Sequence, residues 1–468
     1  MSQIVNQQFE DVYGYIHIVS SEIDRGGQGA VFRTLDPDIA IKVKFNPDCT
    51  EYSKDLSENK IIESIRLLPV PAKINLTMPQ ASLKEYAGYV MRLLADMESF
   101  ERAFDFSFQN DNLYLNDWLK GFADDSPDFV KVLGQYIASG GRRRRLIAYL
   151  KVACILASLH TRGLVYGDFS AKNAYISSVG NANTVWLIDA DNLTYQENAK
   201  NAGYYTPGYG APEVIQGKGC TFYSDAYAFA VSLFWQLTGT HPFVGALTEE
   251  GSEDDFADEG EEKAYAGELP WILDEEDDSN FTETQIPQAQ GMIISERLGK
   301  VFSRTFSKIG KEKRQTRPTM LEWGYALAKE LDLTVKCPRC EMDYDESFDV
   351  CPWCDTPNHR LILISEEQNK RVWKIVNEVT PDMELSIPMR LIKGFCGSEY
   401  EKNACTIKRA KDGFILLNLY DGFEWGISMD SCGTFVNVFG NVTIPEKCFM
   451  RCIDRASQRT ILIEVACI

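Results

Sequence analysis

The sequence from residue 159 to residue 176 reads Leu-His-Thr-Arg-Gly-Leu-Val-Tyr-Gly-Asp-Phe-Ser-Ala-Lys-Asn-Ala-Tyr-Ile. It places Asp168 five residues before Asn173, directly after a segment with a helical pattern, and a second aspartate, Asp189, closes the apolar run Val185–Ile188. One carboxylate that orients a hydroxyl, together with an amide and a carboxylate that hold Mg²⁺, is the set of groups that phosphoryl transfer requires. An Asp-x4-Asn spacing alone also fits a solvated turn, so the interpretation depends on the segments on either side.

Length and composition limit the classes of protein to which this chain can belong. Its 468 residues exceed what one hydrophobic core organises and predict two or three domains. No apolar run is long enough to span a membrane, and Met1–Glu10 lacks a basic and apolar signal region, so we expect a cytoplasmic protein without membrane contact. In that setting the thirteen cysteines are expected to be reduced thiols or metal ligands. Only four histidines are present, which favours carboxylate chemistry over histidine chemistry.

The net charge of −20 is concentrated in one segment. Residues 245–292 hold sixteen Asp and Glu residues against the single Lys263, so their balance is −15 and that of the rest of the chain is −5. Such a charge makes nucleic acid an unlikely partner. The acidic block is interpreted as a solvated and partly disordered insertion, and the alternative is a docking surface for a basic partner. Within it, the apolar run Leu269–Leu273 predicts that part of the insertion packs against the body of the protein.

A glycine-rich turn near the N-terminus is the candidate phosphate end of the site. Gly26, Gly27 and Gly29 follow the strand-like run Tyr15–Val19. Glycines let the backbone of a hairpin approach phosphates closely, because no Cβ intervenes. Such a turn is most often only a hairpin, and the strand that follows it supplies the functional interpretation.

Lys42 lies midway along that strand, Ile39–Val43, which is otherwise apolar. A lysine in this position is costly unless it meets a charge. The helical pattern that comes next carries Glu58, which is the predicted partner of Lys42, with Glu63 as the alternative.

Together these features resemble the protein-kinase family. By this resemblance Lys42 positions the phosphates of ATP, Glu58 holds Lys42, and Asp168 orients the substrate hydroxyl as the catalytic base. Asn173 and Asp189 are then the ligands of Mg²⁺ or Mn²⁺. The resemblance assigns the nucleotide contacts to a wider set of residues: Gly26, Gly27, Gly29, Val31, Ala40, Lys42, Met91, Leu93, Asn173 and Asp189.

Later segments extend the resemblance towards residue 332. Tyr205–Glu213 is similar to the substrate-binding segment that closes the activation loop of kinases. Asp225 resembles the carboxylate that anchors the buried helix of the larger lobe, and Arg317 resembles the arginine that pairs with Glu213. The resemblance implies an α+β, two-lobed kinase-like fold over residues 1–332, with an N-lobe at about 1–93, a C-lobe at about 94–332 and the acidic insertion at 245–292.

Two motifs depart from the kinase pattern. Tyr166-Gly167-Asp168 stands where the family has His-Arg-Asp, which removes the usual receptor of an activation-loop phosphate. Asp189-Ala190-Asp191 stands where the family has Asp-Phe-Gly. These departures resemble a divergent bacterial group of kinase-like proteins, often fused to zinc ribbons. Some of its members are grouped with a von Willebrand A-domain protein and a metal-dependent phosphatase in a tellurite-resistance-associated phosphorylation triad, which implies those two partners here.

The resemblance implies a protein kinase that transfers the γ-phosphoryl group of MgATP to a hydroxyl of a protein substrate. Thr206-Pro207 is similar to the corresponding pair in serine/threonine kinases and favours that specificity. A nucleotide-binding pseudokinase scaffold is the first alternative, for which the altered motifs argue. A small-molecule kinase is the second alternative, and the segment Ala211–Glu213 disfavours it because this segment shapes a platform for protein substrates.

Two cysteine pairs predict a zinc site after the kinase-like region. Cys337-Pro338-Arg339-Cys340 and Cys351-Pro352-Trp353-Cys354 are separated by ten residues, and four thiolates at this spacing close a structural, tetrahedral Zn²⁺ site. We therefore predict a four-cysteine zinc ribbon at residues 333–358, with four reduced cysteines without metal as the alternative. No low-complexity linker precedes the ribbon, so it is expected to pack against the kinase-like body.

Short runs rich in Val, Ile and Phe, separated by turn residues, predict a small β-sandwich or barrel at residues 359–468. Ser431–Asn437 resembles part of a forkhead-associated domain, so the region is interpreted as a protein-interaction module, with phosphopeptide binding as the sharper alternative. The predicted strands are Arg360–Ile364, Met389–Ile392, Cys405–Arg409, Gly413–Asn418, Thr434–Val438, Phe449–Cys452 and Thr460–Val465.

The run Arg142–Arg145 stands at the head of the helical segment that leads to His160. Four successive cations predict a solvated helix start, and the alternative is contact with an acidic partner or with the acidic insertion.

Overall fold

The computed structural model describes residues 6–26, 29–49, 51–106, 117–120, 127–179, 183–199, 205–249, 257–282, 290–397 and 399–468. Of the candidate site residues, Gly27 lies outside the described residues. All the other candidate site residues are described.

The N-terminal lobe is an antiparallel sheet with one helix. Its elements are β1 (Gln8–Glu10), β2 (Ile16–Gly26), β3 (Gly29–Thr34), β4 (Ile39–Lys44), α1 (Ser57–Arg66), β5 (Ala81–Ser82) and β6 (Gly88–Arg92). The strands are ordered β1-β2-β3-β4-β6-β5, and neighbouring strands run antiparallel. Ile41 and Val43 of β4 enter the apolar core of this lobe. Because side chains alternate along a strand, Lys42 and Lys44 lie on the opposite face of β4.

The second lobe is mainly helical, and its longest helix, which holds twenty residues, is buried on most of its surface. Two small sheets frame the segment that carries Asp168. This segment lies between β8 (Leu164–Val165) and β9 (Ala174–Ser177), and Asp189 follows β10 (Val185–Leu187). The helices are α2 (Phe100–Ala103), α3 (Asp117–Lys120), α4 (Pro127–Ala138), α5 (Gly141–His160), α6 (Pro212–Ile215), α7 (Phe222–Thr238), α8 (Ala246–Glu249), α9 (Ala257–Tyr265), α10 (Gln290–Ile293), α11 (Glu296–Phe306), α12 (Lys308–Glu312) and α13 (Met320–Asp332). The strands are β7 (Met97–Ser99), β8 (Leu164–Val165), β9 (Ala174–Ser177), β10 (Val185–Leu187) and β11 (Thr194–Tyr195).

Local sequence fixes both ends of the apolar helix α7. Thr221 and Ser224 form a capping box at its start, in which each side chain accepts a hydrogen bond from the backbone N–H of the other residue. Gly239 ends the helix at a φ of 74°, a conformation that glycine adopts without strain. The helix therefore begins close to Asp225, which the active site uses.

Part of the acidic insertion is packed. Trp271 is buried, and its ring lies 6.1 Å from that of Phe234 and 5.7 Å from that of Phe306. Ala264 on α9 is also fully buried. The predicted packing of the run Leu269–Leu273 is confirmed. Residues 250–256 and 283–289 of the insertion lie outside the described residues.

The paired cysteines lie around a two-stranded hairpin, β12 (Thr334–Lys336) and β13 (Asp343–Asp345). The rest of the chain forms two antiparallel sheets, ordered β15-β14-β23-β22-β19-β20 and β16-β17-β18-β21, whose side chains share one core and so make a sandwich. Their strands are β14 (Arg360–Glu367), β15 (Lys370–Glu378), β16 (Glu384–Pro388), β17 (Asn403–Ala410), β18 (Gly413–Leu417), β19 (Phe423–Ser428), β20 (Val436–Val438), β21 (Val442–Ile444), β22 (Lys447–Asp454) and β23 (Thr460–Cys467).

One of the predicted strands is a helix. The prediction of a strand at Met389–Ile392 is wrong, because α14 (Arg390–Lys393) occupies this position. A run of four residues, three of them apolar, is too short to be assigned from periodicity alone. The helical turn brings Arg390 to the buried Asp332, with Nε and Nη2 at 2.5 and 2.6 Å from its two carboxylate oxygens.

The arginine run begins α5, but its first and last members are fully buried. Arg142 donates a hydrogen bond to the carbonyl of Ile293 (2.8 Å) and contacts Thr334 and the carboxylate of Glu330. The prediction of a solvated helix start is therefore wrong for Arg142, whose guanidinium joins three distant segments. An arginine suits such a place because its planar fork carries five donors.

Arg145 is equally buried. It donates to the carbonyl oxygens of Gln236 (2.6 Å) and Gly141 (3.0 Å), and its guanidinium lies 4.4 Å from the ring centroid of Tyr136. Burial lowers the pKa of Arg145 to about 10. The prediction of solvation is wrong here as well, because carbonyls and aromatic rings replace water around the cation.

A second apolar core joins the ribbon to the rest of the molecule, so the expected packing of the ribbon against the preceding part of the chain is confirmed. Its residues come from α3 and α4, from the hairpin with its cysteines, and from β15. They are Leu119, Val130, Leu133, Tyr136, Leu333, Val335, Cys337, Cys340, Met342, Tyr344, Cys351 and Val376.

Among the helices that the structure describes, none offers the length and apolar character needed to cross a membrane.

Candidate active site and metal centre

Lys42 lies at the centre of the candidate active site. In the sheet it stands between Val31 of β3 and Tyr89 of β6, and only 8% of the residue is exposed. Its Nζ lies 2.5 Å from Oδ1 of Asp189 and 2.9 Å from Oδ2 of Asp191. Burial opposes the charge of the ammonium group, but the two carboxylates outweigh it and raise the pKa of Lys42. Lys42 is therefore a buried cation with two anionic partners.

The expected pair of Lys42 with Glu58 is not formed. Glu58, in the first turn of α1, contacts Lys44 instead, with 2.9 Å between Oε2 and Nζ. The alternative partner, Glu63, contacts Arg66 at 2.5 Å. Lys42 and Lys44 share one face of β4. Glu58 contacts Lys44, the lysine nearer the end of the strand, because the segment after β10 already supplies the two carboxylates at Lys42.

Asp168 lies in the loop between β8 and β9, where Thr206 holds it. Its Oδ1 accepts hydrogen bonds from the amide and from the hydroxyl of Thr206, at 2.8 and 2.9 Å. Burial raises the pKa of Asp168, and the two bonds from Thr206 partly offset this effect. The side-chain amide of Asn173 donates to the backbone carbonyl of Asp168 (2.9 Å), which leaves the Asn173 Oδ1 for another ligand.

The loop that carries Asp168 is anchored by Asp225 at the start of α7. The Asp225 carboxylate accepts hydrogen bonds from the amides of Tyr166 (2.8 Å) and Gly167 (2.9 Å) and lies 2.9 Å from Nε2 of His160. The prediction that Asp225 is an anchoring carboxylate is confirmed. The loop is thus fixed directly before the candidate base.

Asp189 adopts a backbone conformation that is rare for a residue with a Cβ, with φ at 60°. A short 3₁₀ turn, Ala190–Asn192, follows and brings Asp191 to the same lysine. Burial raises the pKa of Asp189 although Lys42 opposes it, whereas at Asp191 the ion pair with Lys42 prevails over burial and lowers the pKa. Strained backbone of this kind is concentrated at functional sites.

A divalent cation fits the donors that remain. The amide of Ile188 donates to the carbonyl of Asn173 (3.0 Å), so the segments carrying Asn173 and Asp189 are joined by a hydrogen bond. Asn173 Oδ1 and the Asp189 carboxylate are oxygen donors, the kind that Mg²⁺ and Mn²⁺ prefer. Hydrogen bonds thus join Asp168 to Asn173 and Asn173 to Ile188, the residue before Asp189, and Asp189 contacts Lys42.

The predicted nucleotide contacts other than Asn173 and Asp189 belong to the first lobe. Gly29 is required by a close approach of β4, because a Cβ there would come within 2.4 Å of the carbonyl oxygen of Val43, whereas Gly26 faces open space. Ala40 is buried and pairs with Met91 across β4 and β6. Leu93, just after β6, donates its amide to the carbonyl of Asp38 at 2.8 Å.

The predicted pair of Arg317 and Glu213 is confirmed. Nη1 and Nη2 of Arg317 lie 2.7 and 2.8 Å from the two carboxylate oxygens of Glu213, and the arginine side chain is fully buried. This pair holds α6, and with it the end of the segment Tyr205–Glu213, against the second lobe.

The four ribbon cysteines form one cluster. The Sγ atoms of Cys337, Cys340, Cys351 and Cys354 all lie within 4.8 Å of one another, and the pairs Cys337–Cys354 and Cys340–Cys351 are each 3.6 Å apart. A tetrahedral zinc ion with Zn–S bonds of about 2.3 Å would place its sulfurs about 3.8 Å apart. The four thiols therefore match a structural Zn²⁺ site.

The two cysteine knuckles have the same backbone geometry. The residue after the second cysteine of each pair has a positive φ, 61° at Glu341 and 57° at Asp355. The amide of Glu341 donates to the carbonyl of Cys337 (3.0 Å), and that of Asp355 donates to the carbonyl of Cys351 (2.9 Å). This repetition supports one ion held symmetrically by both knuckles.

Two groups at the site were not predicted from the sequence. Asp191 was noted only as a departure from the kinase pattern, although a second carboxylate two residues after Asp189 was a signal that could have indicated it. Tyr89, which is fully buried and pairs with Lys42 in the sheet, gave no signal beyond its place in an apolar strand.

No protein-family model matches the chain. Part of it is similar to protein kinases. It is 31% identical over 147 residues to the cGMP-dependent protein kinase of Toxoplasma gondii, which covers 29% of this chain and 14% of that protein. It is 30% identical over 95 residues to the protein kinase C delta type of Homo sapiens (20% of this chain, 14% of that protein). It is 34% identical over 101 residues to rhodopsin kinase GRK1 of Homo sapiens (21% and 18%).

The chain thus spans less than a fifth of the length of each of these relatives. The similarity is a distant homology to eukaryotic protein kinases over part of the chain.

Proposed function

We propose that this chain is a protein kinase that transfers the γ-phosphoryl group of ATP to a hydroxyl of a protein substrate. The observation that carries the proposal is the contact of Lys42 with Asp189, at 2.5 Å, beside the loop that holds Asp168 and Asn173. The partial similarity to protein kinases supports the same reaction class.

Each residue has a part in this reaction. Asp168 accepts the hydrogen bond of the attacking hydroxyl, orients it and receives its proton. Lys42 meets the α- and β-phosphates from the buried strand. Asn173 and Asp189 hold Mg²⁺ or Mn²⁺, which when bound neutralises charge on the phosphates. The turn with Gly26, Gly27 and Gly29 is assigned to the phosphates of the nucleotide, and Val31, Ala40, Met91 and Leu93 are assigned to its adenine and ribose.

The finer identity follows from the motif resemblance. We assign serine/threonine specificity, which the contact of Thr206 with Asp168 supports. We place the chain in the divergent bacterial kinase-like group, with a von Willebrand A-domain protein and a metal-dependent phosphatase as partners. Zn²⁺ is the structural metal of the ribbon, and a cytoplasmic setting would keep its four thiols reduced.

A nucleotide-binding scaffold without transfer activity is the competing function. The observation that favours it is the missing pair of Lys42 with Glu58, which the kinase resemblance assigns to nucleotide positioning.

The transfer of ³²P from γ-labelled ATP by the purified chain, with Mg²⁺ and separately with Mn²⁺, decides between the two. Wild-type protein should label itself or a generic serine/threonine substrate, and Asp168→Asn and Asp189→Ala should each reduce transfer by about 100-fold or more. Asp48→Asn, a change of the same kind at an exposed position of the first lobe, is the matched control and should leave transfer unchanged. Nucleotide binding without transfer by the wild type would instead support the scaffold.

A further inference from the structure

We propose that Asp191, rather than Glu58, is the positioning residue that holds Lys42 for the nucleotide. This inference rests on the proposed function and names the partner that its site uses. Asp191 Oδ2 lies 2.9 Å from Lys42 Nζ, whereas Glu58 lies 2.9 Å from Lys44. In kinases the partner of this lysine is a glutamate on the helix of the first lobe. Here the partner is Asp191, which follows the proposed metal ligand Asp189.

The two aspartates that contact Lys42 differ in burial, and this difference indicates different roles. The side chain of Asp189 is 32% exposed, but that of Asp191 is only 9% exposed. Asp189 therefore faces the open side of the site, where a metal and phosphates arrive, and Asp191 lies behind it. Once Asp189 serves the metal, the buried lysine still requires an anion close to it, because an unpaired charge at this depth is costly. Asp191 supplies that anion.

The local backbone explains why Asp191 can reach the lysine. The chain turns at Asp189, whose φ is 60°, and the 3₁₀ turn Ala190–Asn192 then presents the next carboxylate to the same ammonium group. Tyr89, which stands next to Lys42 in the sheet, is fully buried. Glu58, by contrast, has a side chain that is 34% exposed.

A double-mutant cycle on ADP affinity tests the proposal. ADP is the probe because the strand lysine is expected to contact its α- and β-phosphates. Lys42→Met is combined with Asp191→Asn, with Glu58→Gln and with the control Asp48→Asn, and the dissociation constant of ADP is measured by calorimetry in Mg²⁺ and again in EDTA. Asp191→Ser, which buries no new amide, is carried in parallel so that misfolding of one variant does not end the test.

Lys42→Met should weaken ADP binding by about ten-fold or more in the wild-type background, because a hydrogen bond to a charged group is lost. In the Asp191→Asn or Asp191→Ser background, Lys42→Met should weaken ADP binding by less than about three-fold, because a lysine without its anchor contributes little. With Glu58→Gln or Asp48→Asn the full loss should persist. In EDTA, where Asp189 is free to pair with Lys42, the coupling between positions 42 and 191 should be weaker but still present.

Three results would overturn the assignment: an undiminished loss in both Asp191 variants, a diminished loss in Glu58→Gln, or a coupling that vanishes in EDTA, which would make Asp191 a metal ligand. The proposed function fails separately. If the wild type transfers no phosphate but the coupling between positions 42 and 191 is present, the kinase activity is rejected and the positioning of Lys42 by Asp191 is retained.

Discussion

Thr206 controls the charge of the candidate base through two hydrogen bonds to the same oxygen of Asp168. Burial, the largest effect, raises the pKa of Asp168 above the ordinary value of 3.8, and the bonds from Thr206 favour the ionised form and partly offset it. In the proposed reaction the ionised carboxylate is the base, so activity is expected above the raised pKa and should be lost as the pH falls through it.

Thr206→Ala should shift this acidic limb to higher pH. The variant loses the hydroxyl that stabilises the carboxylate, so the pKa of Asp168 should rise further. The pH dependence of kcat for phosphoryl transfer provides the measurement. Thr206→Ser, which keeps the hydroxyl, should leave the limb in place. An acidic limb that stays put or moves to lower pH in Thr206→Ala would contradict the interpretation.

Glu213→Gln should destabilise the protein by about 3–5 kcal/mol, because it leaves the fully buried Arg317 without its counter-charge. Chemical denaturation measures the free energy of unfolding. The control is Glu424→Gln, which removes the partner of Arg455 in a pair whose two side chains are more than half exposed, at 3.8 Å. That variant should change the free energy of unfolding by no more than roughly 1 kcal/mol. Equal effects of the two substitutions would show that the Glu213 pair is not a buried support.

The sequence was informative for residues whose partner is fixed by a landmark spacing. Asp225 and the pair of Glu213 with Arg317 were identified in this way, and the structure brings them together as expected. Glu58 could not be resolved, because two lysines two residues apart on β4 are equally plausible partners for a glutamate on α1. Only the position of the Asp189–Asp191 segment decides between them.

At the scale of the element, the stability of the ribbon depends on the segments that pack against it. Its hairpin would bury little on its own, but its cysteines belong to the core that also contains Val130 of α4 and Val376 of β15. Loss of the metal is therefore expected to loosen these two neighbours, and to leave the sheet of the first lobe, which has its own core, unchanged.

Cys351→Ser should lower the zinc content of the purified protein well below the one ion per chain expected for the wild type, since three thiolates and a hydroxyl bind Zn²⁺ much more weakly. Amide hydrogen exchange should accelerate in α4 (Pro127–Ala138) and not in α1 (Ser57–Arg66), which serves as the internal control. Elemental analysis and exchange measured by mass spectrometry provide the two readouts. A zinc-free protein with unchanged exchange in α4 would refute the prediction.

Most of the predicted strands are confirmed, and most short elements were missed. The runs that became β14, β17, β18, β20, β22 and β23 were predicted because their apolar residues alternate or cluster between turn residues. The four-residue α14 was mistaken for a strand, and the strands β15, β16, β19 and β21 were not predicted. In β15 polar or charged residues stand at both ends and Lys374 interrupts the apolar residues, so the segment shows no strict alternation.

At the scale of the whole molecule, Asp332 joins the second lobe to the sandwich. It lies at the end of α13, where its carboxylate contacts Arg390 through two hydrogen bonds and accepts a third from the indole N–H of Trp373 at 2.6 Å. The apolar core of the second lobe continues into the sandwich without a break. The sequence indicated separate modules but could not show this joint, because Asp332 and Arg390 carry no pattern that relates them.

Asp332→Ala should cost about 3–5 kcal/mol, because it leaves the buried Arg390 unpaired. Since the core is continuous, unfolding should remain a single transition, seen alike by ADP binding and by tryptophan fluorescence. Glu401→Ala is the control: it removes an exposed carboxylate that contacts Lys151 across the same joint at 2.6 Å, and should have an effect of at most roughly 1 kcal/mol. Two separated transitions in the wild type, or a negligible effect of Asp332→Ala, would contradict this view.

The contacts of Arg142 have a consequence during synthesis, because the chain leaves the ribosome N-terminus first and the partner of Arg142 is made later. Its carboxylate partner, Glu330, is added 188 positions later. At ribosomal speeds of about 5–20 residues per second the delay is roughly 10–40 s. Throughout that interval the head of α5 carries a guanidinium and apolar neighbours that lack their native contacts. We therefore expect the nascent second lobe to expose these groups to chaperones, and slower translation of the acidic insertion should prolong the exposure.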